Sequence, residues 1–205
     1  MVMEWLSAFF IAFGIVFIAE LGDKTQLIIL TLSTKGYKTK WLAFGAVLGF
    51  GVIVFLGGII ALLISKYLDL KWISVASGII FAVLGTFQLR KLILDRKKGI
   101  GEDPSDEKEE MPKMQPNNSF LMGFVAIVTM ELGDKTQLMT IMLAAQSVSV
   151  VGTLLGSWVA LSSLAVFGAF AGEWLSKKIS KEKVDWIAAI LFLIIGIVII
   201  ITSFV

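Results

Sequence analysis

Long apolar runs alternate with short polar joins along almost the whole chain. Six of these runs have about 20 or more predominantly apolar residues, the length that spans a bilayer core of roughly 30 Å. They cover residues 5–32, 41–64, 72–89, 120–145, 148–175 and 184–204. The runs are continuously apolar and do not alternate with a period of two, so they predict helices and not the strands of a barrel. The pattern predicts an all-α membrane protein with six transmembrane helices.

Composition agrees with this interpretation and excludes several kinds of site. Of the 205 residues, 57% are hydrophobic and 17% are charged, whereas about 25% are charged in soluble domains. The chain has neither Cys nor His, so disulfides, thiolate metal sites and histidine proton relays are excluded. Glu4 is the first charged residue and no early Lys or Arg accompanies it, so we expect the first helix to be retained and not cleaved as a signal peptide.

One polar octad occurs twice inside these apolar runs. Residues 20–27 and 131–138 both read Glu-Leu-Gly-Asp-Lys-Thr-Gln-Leu. The same shift of 111 positions aligns Gly45 with Gly156 and other positions outside the octads, so one three-helix unit is used twice. Three is an odd number, so the second unit enters the membrane from the opposite side, as in the inverted-topology repeats of many transporters. We therefore expect a first repeat over 1–92 and a second over 118–205.

The join between the two halves differs in character from the others. Residues 93–117 are rich in charge and contain all three prolines of the chain, a composition typical of a flexible, disordered linker. Close helix packing is expected in the second run, where Gly45 and Gly49 have the spacing that lets backbones approach.

The distribution of Lys and Arg predicts the orientation. If the six runs cross the membrane in turn, fourteen of the eighteen basic residues fall in the joins on one side. By the positive-inside rule this side is cytoplasmic, which places both termini outside and the linker inside. We expect a multi-pass protein of the cell membrane, with the lipid bilayer as a partner, a homodimer as an option and no nucleic acid.

Charge inside hydrocarbon marks the octads as a functional site, since each ionised residue there costs at least a few kcal/mol. On a regular helix, Glu20, Asp23 and Lys24 would share one face. Gly22 lies between the two acids and can loosen the helix, which is tolerated where the backbone lines a cavity.

If the two octads meet near the midplane, they offer a set of hard oxygen donors. Such donors suit Ca²⁺ or Mn²⁺, whereas the absence of Cys and His argues against Cu(I). With Lys24 and Lys135 as charge-compensating residues, four acids and two lysines leave a formal charge of −2, which one divalent cation neutralises. The candidate metal ligands are Glu20, Asp23, Thr25, Gln26, Glu131, Asp134, Thr136 and Gln137.

Protons can compete with the metal for the same acids, because a carboxylate in surroundings of low dielectric constant binds protons more readily than one in water. This competition is the minimum requirement for exchange of a cation against protons. The deeper acids, Glu20 and Glu131, are the predicted proton carriers. The metal and H⁺ would be transported, and no permanently bound cofactor is expected.

Other interpretations stay open at this point. Glu20 with Lys24, and Glu131 with Lys135, have the i, i+4 spacing at which opposite charges pair on a helix. The octads could then serve only to hold the two halves together, although this leaves Asp23 and Asp134 without obvious partners. An exporter of small organic cations or amino acids and a passive cation channel are further alternatives. An enzyme is least favoured, since no arrangement of nucleophile and base is present.

Two copies of Glu-x-Gly-Asp-Lys-Thr in two three-helix halves resemble the uncharacterised protein family sixteen, also called the calcium/cation antiporter 2 family. The resemblance covers nearly the whole chain and implies transport of Mn²⁺ or Ca²⁺ against protons. It further implies that a bacterial member, which the short N-terminus suggests, exports Mn²⁺. Carried over by position, the metal-binding acids are Glu20, Asp23, Glu131 and Asp134, with Lys24, Thr25, Lys135 and Thr136 completing the motifs.

Overall fold

A computed structural model describes residues 2–34, 36–98, 118–178 and 181–204, and the regular structure of these residues is helical. Four helices are long and apolar enough to cross a membrane, over Met3–Glu20, Thr39–Tyr67, Leu70–Leu94 and Val150–Phe170. The chain is therefore a multi-pass membrane protein, and its described part is helical. Its helices are α1 (Val2–Glu20), α2 (Lys24–Thr34), α3 (Thr39–Tyr67), α4 (Leu70–Lys98), α5 (Ser119–Glu131), α6 (Lys135–Ala145), α7 (Val150–Lys178) and α8 (Lys181–Thr202).

Two of the predicted spans are not continuous helices. The prediction of single helices over 5–32 and 120–145 is wrong, because each is interrupted inside the octad, between α1 and α2 and between α5 and α6. Gly22 has φ 81° and Gly133 has φ 84°, a left-handed conformation that glycine adopts without a Cβ clash. The expected loosening at Gly22 is thus confirmed, and the regular-helix geometry that put three octad residues on one face is wrong.

The third predicted span is too short at its C-terminal end. It was expected to stop at residue 89, but α4 continues to Lys98, so the first residues of the predicted 93–117 linker are helical. Arg, Lys and Leu dominate the added segment, and these residues favour helix. Residues 99–117 lie outside the described part of the chain, and their disorder stays a prediction.

Three helix pairs form the framework: α1 with α7, α3 with α5, and α4 with α8. Glycines make the first two contacts close. A Cβ on Gly45 of α3 would overlap the carbonyl oxygen of Phe120 on α5, and a Cβ on Gly156 of α7 would overlap that of Phe9 on α1. The two contacts are related by the 111-residue shift, and the close packing expected at Gly45 is confirmed.

In the α4–α8 pair, both repeat-related glycine contacts lie within the same pair of helices. Phe81 and Phe192 are fully buried and their ring centroids lie 5.8 Å apart. A Cβ on Gly85 would lie 2.8 Å from the Leu193 nitrogen, and a Cβ on Gly196 would lie 2.6 Å from the Ala82 nitrogen. The helices of this pair therefore approach at backbone distance.

The bundle has two ends that hydrogen bonds identify. At the Lys38 end, the N–H of Lys38 before α3 donates to Ser119 Oγ at the start of α5, at 2.9 Å. At the Ser65 end, Ser65 Oγ near the end of α3 donates to the carbonyl of Ala145 at the end of α6, at 3.0 Å. The two helix breaks lie between these ends.

We expect Gly45→Ala to destabilise the protein, because the new Cβ meets a carbonyl oxygen that cannot rotate away, and α3 and α5 must separate. Overpacking of this kind costs about 1–3 kcal/mol. The melting temperature in detergent should fall by roughly 4 °C or more. Gly14→Ala is the matched control, since a Cβ at this helical glycine has nothing within 4 Å. Equal melting temperatures for the two variants would contradict the packing.

Candidate metal site

The two helix breaks bring the acids of both octads together. Asp23 of the first octad and Glu131 and Asp134 of the second each place one carboxylate oxygen so that all three atoms lie within 4.8 Å of one another. Two oxygens bound to one ion at 2.3–2.6 Å can be no more than about 5 Å apart. One Ca²⁺-sized ion can therefore contact all three carboxylates.

The glutamates that end α1 and α5 are the most deeply buried acids of the site. Glu20 is 2% exposed and Glu131 is fully buried. Among the described residues, neither carboxylate oxygen of Glu131 has a hydrogen-bond partner, and neither does Oε1 of Glu20. An ionised carboxylate removed from water costs several kcal/mol unless it is paired and hydrogen-bonded. Glu131 is thus held in a position where a cation or a proton stabilises it strongly.

Lys135 compensates charge between the octads. Its Nζ lies 3.8 Å from Glu20 Oε1 and 3.6 Å from Asp23 Oδ1. Asp23, which seemed to lack a partner in the sequence, therefore pairs with a lysine of the other half. These ion pairs cross from one octad to the other, unlike the i, i+4 pairs that spacing alone suggested. The side chain of Lys24 lies outside the described residues.

Helix ends complete the electrostatics of the site. The C-terminal ends of α1 and α5 carry partial negative charge, and the N-terminal ends of α2 and α6 carry partial positive charge. The former favour a bound cation and the latter favour ionised acids beside them. Asp134 is the N-cap residue of α6, yet its side chain makes no capping hydrogen bond. Its carboxylate instead lies in the cluster with Asp23 and Glu131.

The threonines of the octads lie in the first turns of α2 and α6. Thr25 is 6% exposed and Thr136 is fully buried. No hydrogen-bond partner of the Thr136 hydroxyl oxygen is found among the described residues. An unpartnered buried hydroxyl next to a buried carboxylate is consistent with a further oxygen ligand, so the threonines remain candidates.

The glutamines of the octads have main-chain partners. The N–H of Gly22 donates to Gln26 Oε1 at 3.3 Å, and the N–H of Gly133 donates to Gln137 Oε1 at 2.7 Å. Both glutamines are buried. Their predicted role as metal ligands stays a prediction, since the observed contacts of these amide oxygens are with the helix breaks.

A small cavity of about 10 Å³ lies beside the first break. Its volume is close to the minimum that holds one water molecule. Polar and apolar side chains line it, among them Glu20, Thr25, Gln26, Phe50, Ile127 and Leu161.

Sequence reasoning missed two glycines that lie against the octads. A Cβ on Gly168 of α7 would lie 3.1 Å from the Cα and the carbonyl oxygen of Gln26. A Cβ on Gly57 of α3 would lie 4.0 Å from the Gln137 carbonyl oxygen. The 111-residue shift aligns Gly57 with Gly168, and this alignment is the signal that could have found them.

Comparison with known proteins adds a family profile to this geometry. The profile described as "Divalent cation/proton antiporter GDT1" matches residues 8–95 and 119–205. Each matched range contains one copy of the octad. Residues 96–118, which include most of the predicted linker, fall between the two ranges.

Individual relatives are similar over most of their length. A GDT1-like protein of Synechocystis is 28% identical, over 94% of this chain and 96% of the relative. A Vibrio cholerae protein named "Putative manganese exporter" is 30% identical, over 76% of this chain and 73% of the relative. GDT1-like protein 4 of Oryza sativa subsp. indica is 25% identical, over 91% and 70% respectively. No solved structure matches the chain significantly.

Proposed function

We propose that this chain exports Mn²⁺ from a bacterial cell in exchange for protons. The premise is that the chain belongs to the family of the divalent cation/proton antiporter GDT1. Family membership makes the chain a membrane transporter of divalent cations, and it confirms the resemblance drawn from the duplicated motif. The identity of the metal, the proton coupling and the direction are the proposal. We expect no enzymatic activity.

The buried carboxylate of Glu131 is the observation that carries the proposal. In the part of the chain that the structure describes, it has no hydrogen-bond partner, and one of its oxygens lies within 4.8 Å of carboxylate oxygens of Asp23 and Asp134. Three acids this close repel one another in a low dielectric, so the arrangement favours a cation between them. Such a site binds the transported ion as substrate.

The chemistry of the donors supports Mn²⁺, with Ca²⁺ as the alternative cargo. The proposed ligands are carboxylates and threonine hydroxyls, which are hard oxygen donors suited to both ions. A chain without Cys or His offers none of the softer ligands that favour Cu(I) or Zn²⁺. The name of the Vibrio relative supports Mn²⁺ over Ca²⁺.

Proton exchange is proposed because the same acids can bind either the metal or protons. Glu20 and Glu131 are the proposed proton carriers, because they are the most buried acids of the octads and each has an oxygen that makes no hydrogen bond to the described residues. Two protons compensate the same charge as one divalent ion. In the metal-free site, Lys135 supplies part of the counter-charge, and a metal that arrives between the acids displaces its ammonium group. Lys24 is the second proposed charge-compensating residue.

The six-span, two-repeat arrangement is part of the proposal. Gly45 and Gly156 make equivalent contacts under the 111-residue shift, and so do Gly85 and Gly196. These contacts support two three-helix units of opposite orientation. With the basic joins inside, both termini face outward and residues 93–117 are cytoplasmic.

Packing at the Ser65 end indicates which side of the site is closed. An apolar cluster of Ala61, Ile73, Ile141, Ala144 and Ala145 fills this end. There α4 contacts α6, and α8 contacts α1, whereas no comparable contact of α4 or α8 with α2 or α5 occurs among the described residues. This packing supports a site closed on the Ser65 side, which the charge rule makes the side opposite the cytoplasm.

Two alternative functions fit the molecule less well. An exporter of organic cations or amino acids needs a substrate-sized cavity, but the cavity beside Glu20 has a volume of only about 10 Å³. A passive channel needs one continuous path, which the packed cluster at the Ser65 end interrupts. A closed end with a buried, charge-paired site favours alternating access.

We expect Glu131→Gln to reduce Mn²⁺-dependent proton movement in proteoliposomes to the level of protein-free liposomes. The amide keeps the shape of the side chain but removes the negative charge that both the metal and the proton require. Asp134→Asn should have the same effect. Glu4→Gln is the control, since Glu4 is exposed at the start of α1. This variant should exchange Mn²⁺ and protons normally. Near-normal exchange by the Glu131→Gln variant would contradict the proposal.

We also expect unequal access from the two ends. Positions 33 and 144 are equivalent under the 111-residue shift, but Ala144 is fully buried and Ser33 is half-buried. The native chain has no cysteine, so single substitutions Ser33→Cys and Ala144→Cys can be labelled cleanly with a water-soluble thiol reagent. In metal-free protein, position 33 should react at least about tenfold faster, as expected for a buried site that must open first. Equal or reversed rates would contradict a closed Ser65 end.

A further inference from the structure

We propose that Gln26 and Gln137 are positioning residues, which hold the two helix breaks in the shape that presents the acids to the metal. The hydrogen bonds that support this role do not depend on the proposed function, whereas its consequence for metal binding does. We refer to the bonds from each glutamine side chain to its own helix break as the main-chain brace.

The brace of the first break has two bonds. Gln26 Nε2 donates to the carbonyl oxygen of Glu20 at 2.7 Å, and the N–H of Gly22 donates to Gln26 Oε1 at 3.3 Å. One side chain of α2 therefore binds the last carbonyl of α1 and an amide of the turn. This fixes the main chain on both sides of Leu21, and with it the direction in which the Glu20 side chain leaves α1.

The brace of the second break has one bond. The N–H of Gly133 donates to Gln137 Oε1 at 2.7 Å. In the part of the chain that the structure describes, Gln137 Nε2 has no bond to the Glu131 carbonyl corresponding to that of Gln26. The two octads are identical in sequence, so this difference is conformational and not a difference in chemistry.

The helices that pack against the two glutamines also differ, since one packs more closely than the other. Gly168 of α7 lies against the main chain of Gln26, where an added Cβ would meet two backbone atoms at 3.1 Å. Gly57 of α3 leaves more room, since an added Cβ would make ordinary contacts, the nearest being Ile141 Cγ1 at 3.4 Å. The first brace is thus tightly supported and the second is more loosely supported.

A brace is needed because each break leaves main-chain groups without helical partners. In a membrane such groups must be satisfied by the protein, since no water is available in the bilayer core. The Glu20 carbonyl oxygen accepts two hydrogen bonds, one from the Asp23 N–H at 3.2 Å and one from Gln26 Nε2. The Gln26 side chain thus contributes to the turn, and the carboxylates remain available for the ion.

Amide hydrogen exchange on metal-free protein tests the brace directly. Methionine has nearly the shape of glutamine but makes no comparable hydrogen bonds, so Gln26→Met leaves the Gly22 amide without its acceptor. We expect exchange in the peptide over 20–27 to accelerate about tenfold, as the loss of one buried hydrogen bond implies, while the peptide over 131–138 stays unchanged. Gln137→Met should give the reverse pattern. Unchanged exchange in both variants would overturn the brace.

Equilibrium binding of Mn²⁺, measured from the electron paramagnetic resonance of the free ion, tests the consequence. We expect Gln26→Met to raise the Kd about tenfold and Gln137→Met by less, because the first brace has two bonds. Gly168→Ala, which pushes on the Gln26 main chain but removes no oxygen donor, should also raise the Kd. Gly57→Ala is its matched control and should stay within about twofold, since it makes only ordinary contacts.

The two arms separate the possible failures. If Gly168→Ala and Gly57→Ala both bound Mn²⁺ like the wild type, displacement of the Gln26 main chain would not affect the site, and the positioning role would be overturned. If the wild-type protein bound no Mn²⁺, the proposed function would fail, while the amide exchange of the metal-free variants would still decide whether the brace exists.

Discussion

Burial of acidic side chains without matching donors is the constraint on which the rest of the structure depends. Glu131 is fully buried, and neither of its carboxylate oxygens accepts a hydrogen bond from the described residues, a state whose cost several ordinary contacts cannot offset. The neighbouring Asp23 and Asp134 increase this cost by repulsion, and Lys135 relieves only part of it. The proposed binding of a divalent cation or of protons would remove most of this cost.

The helix breaks make this site possible. A continuous helix would turn the octad residues around its axis and satisfy every main-chain group internally. The left-handed glycines Gly22 and Gly133 instead let α1 and α5 end at a glutamate, while α2 and α6 begin after an aspartate. Glycine contacts at Gly45 and Gly156 then bring the broken helices close to α3 and α7, so that both octads reach one place.

Much of this could be predicted from the sequence, because hydrophobic length and exact repetition are strong signals. The helical membrane class and the family followed from residues alone. The breaks were only half predicted: Gly22 was recognised as a weak point, but its positive φ depends on tertiary packing that no local pattern contains. The pairing of Lys135 with Asp23 was missed for a related reason, since i, i+4 spacing indicates neighbours within one helix and says nothing about contacts between repeats. The main-chain contacts of Gln26 also depend on the break and could not be seen before it.

The central claim is that both octads form one site for one divalent ion. Crystals grown with Mn²⁺ and measured near its absorption edge test this most directly, because an anomalous difference map locates the ion without reference to any activity. The structure predicts a single peak in contact with the carboxylates of Asp23, Glu131 and Asp134, with the Lys135 ammonium group moved away. Two separate peaks, one at each octad, or no peak at the cluster while Lys135 still pairs with Asp23, would contradict it.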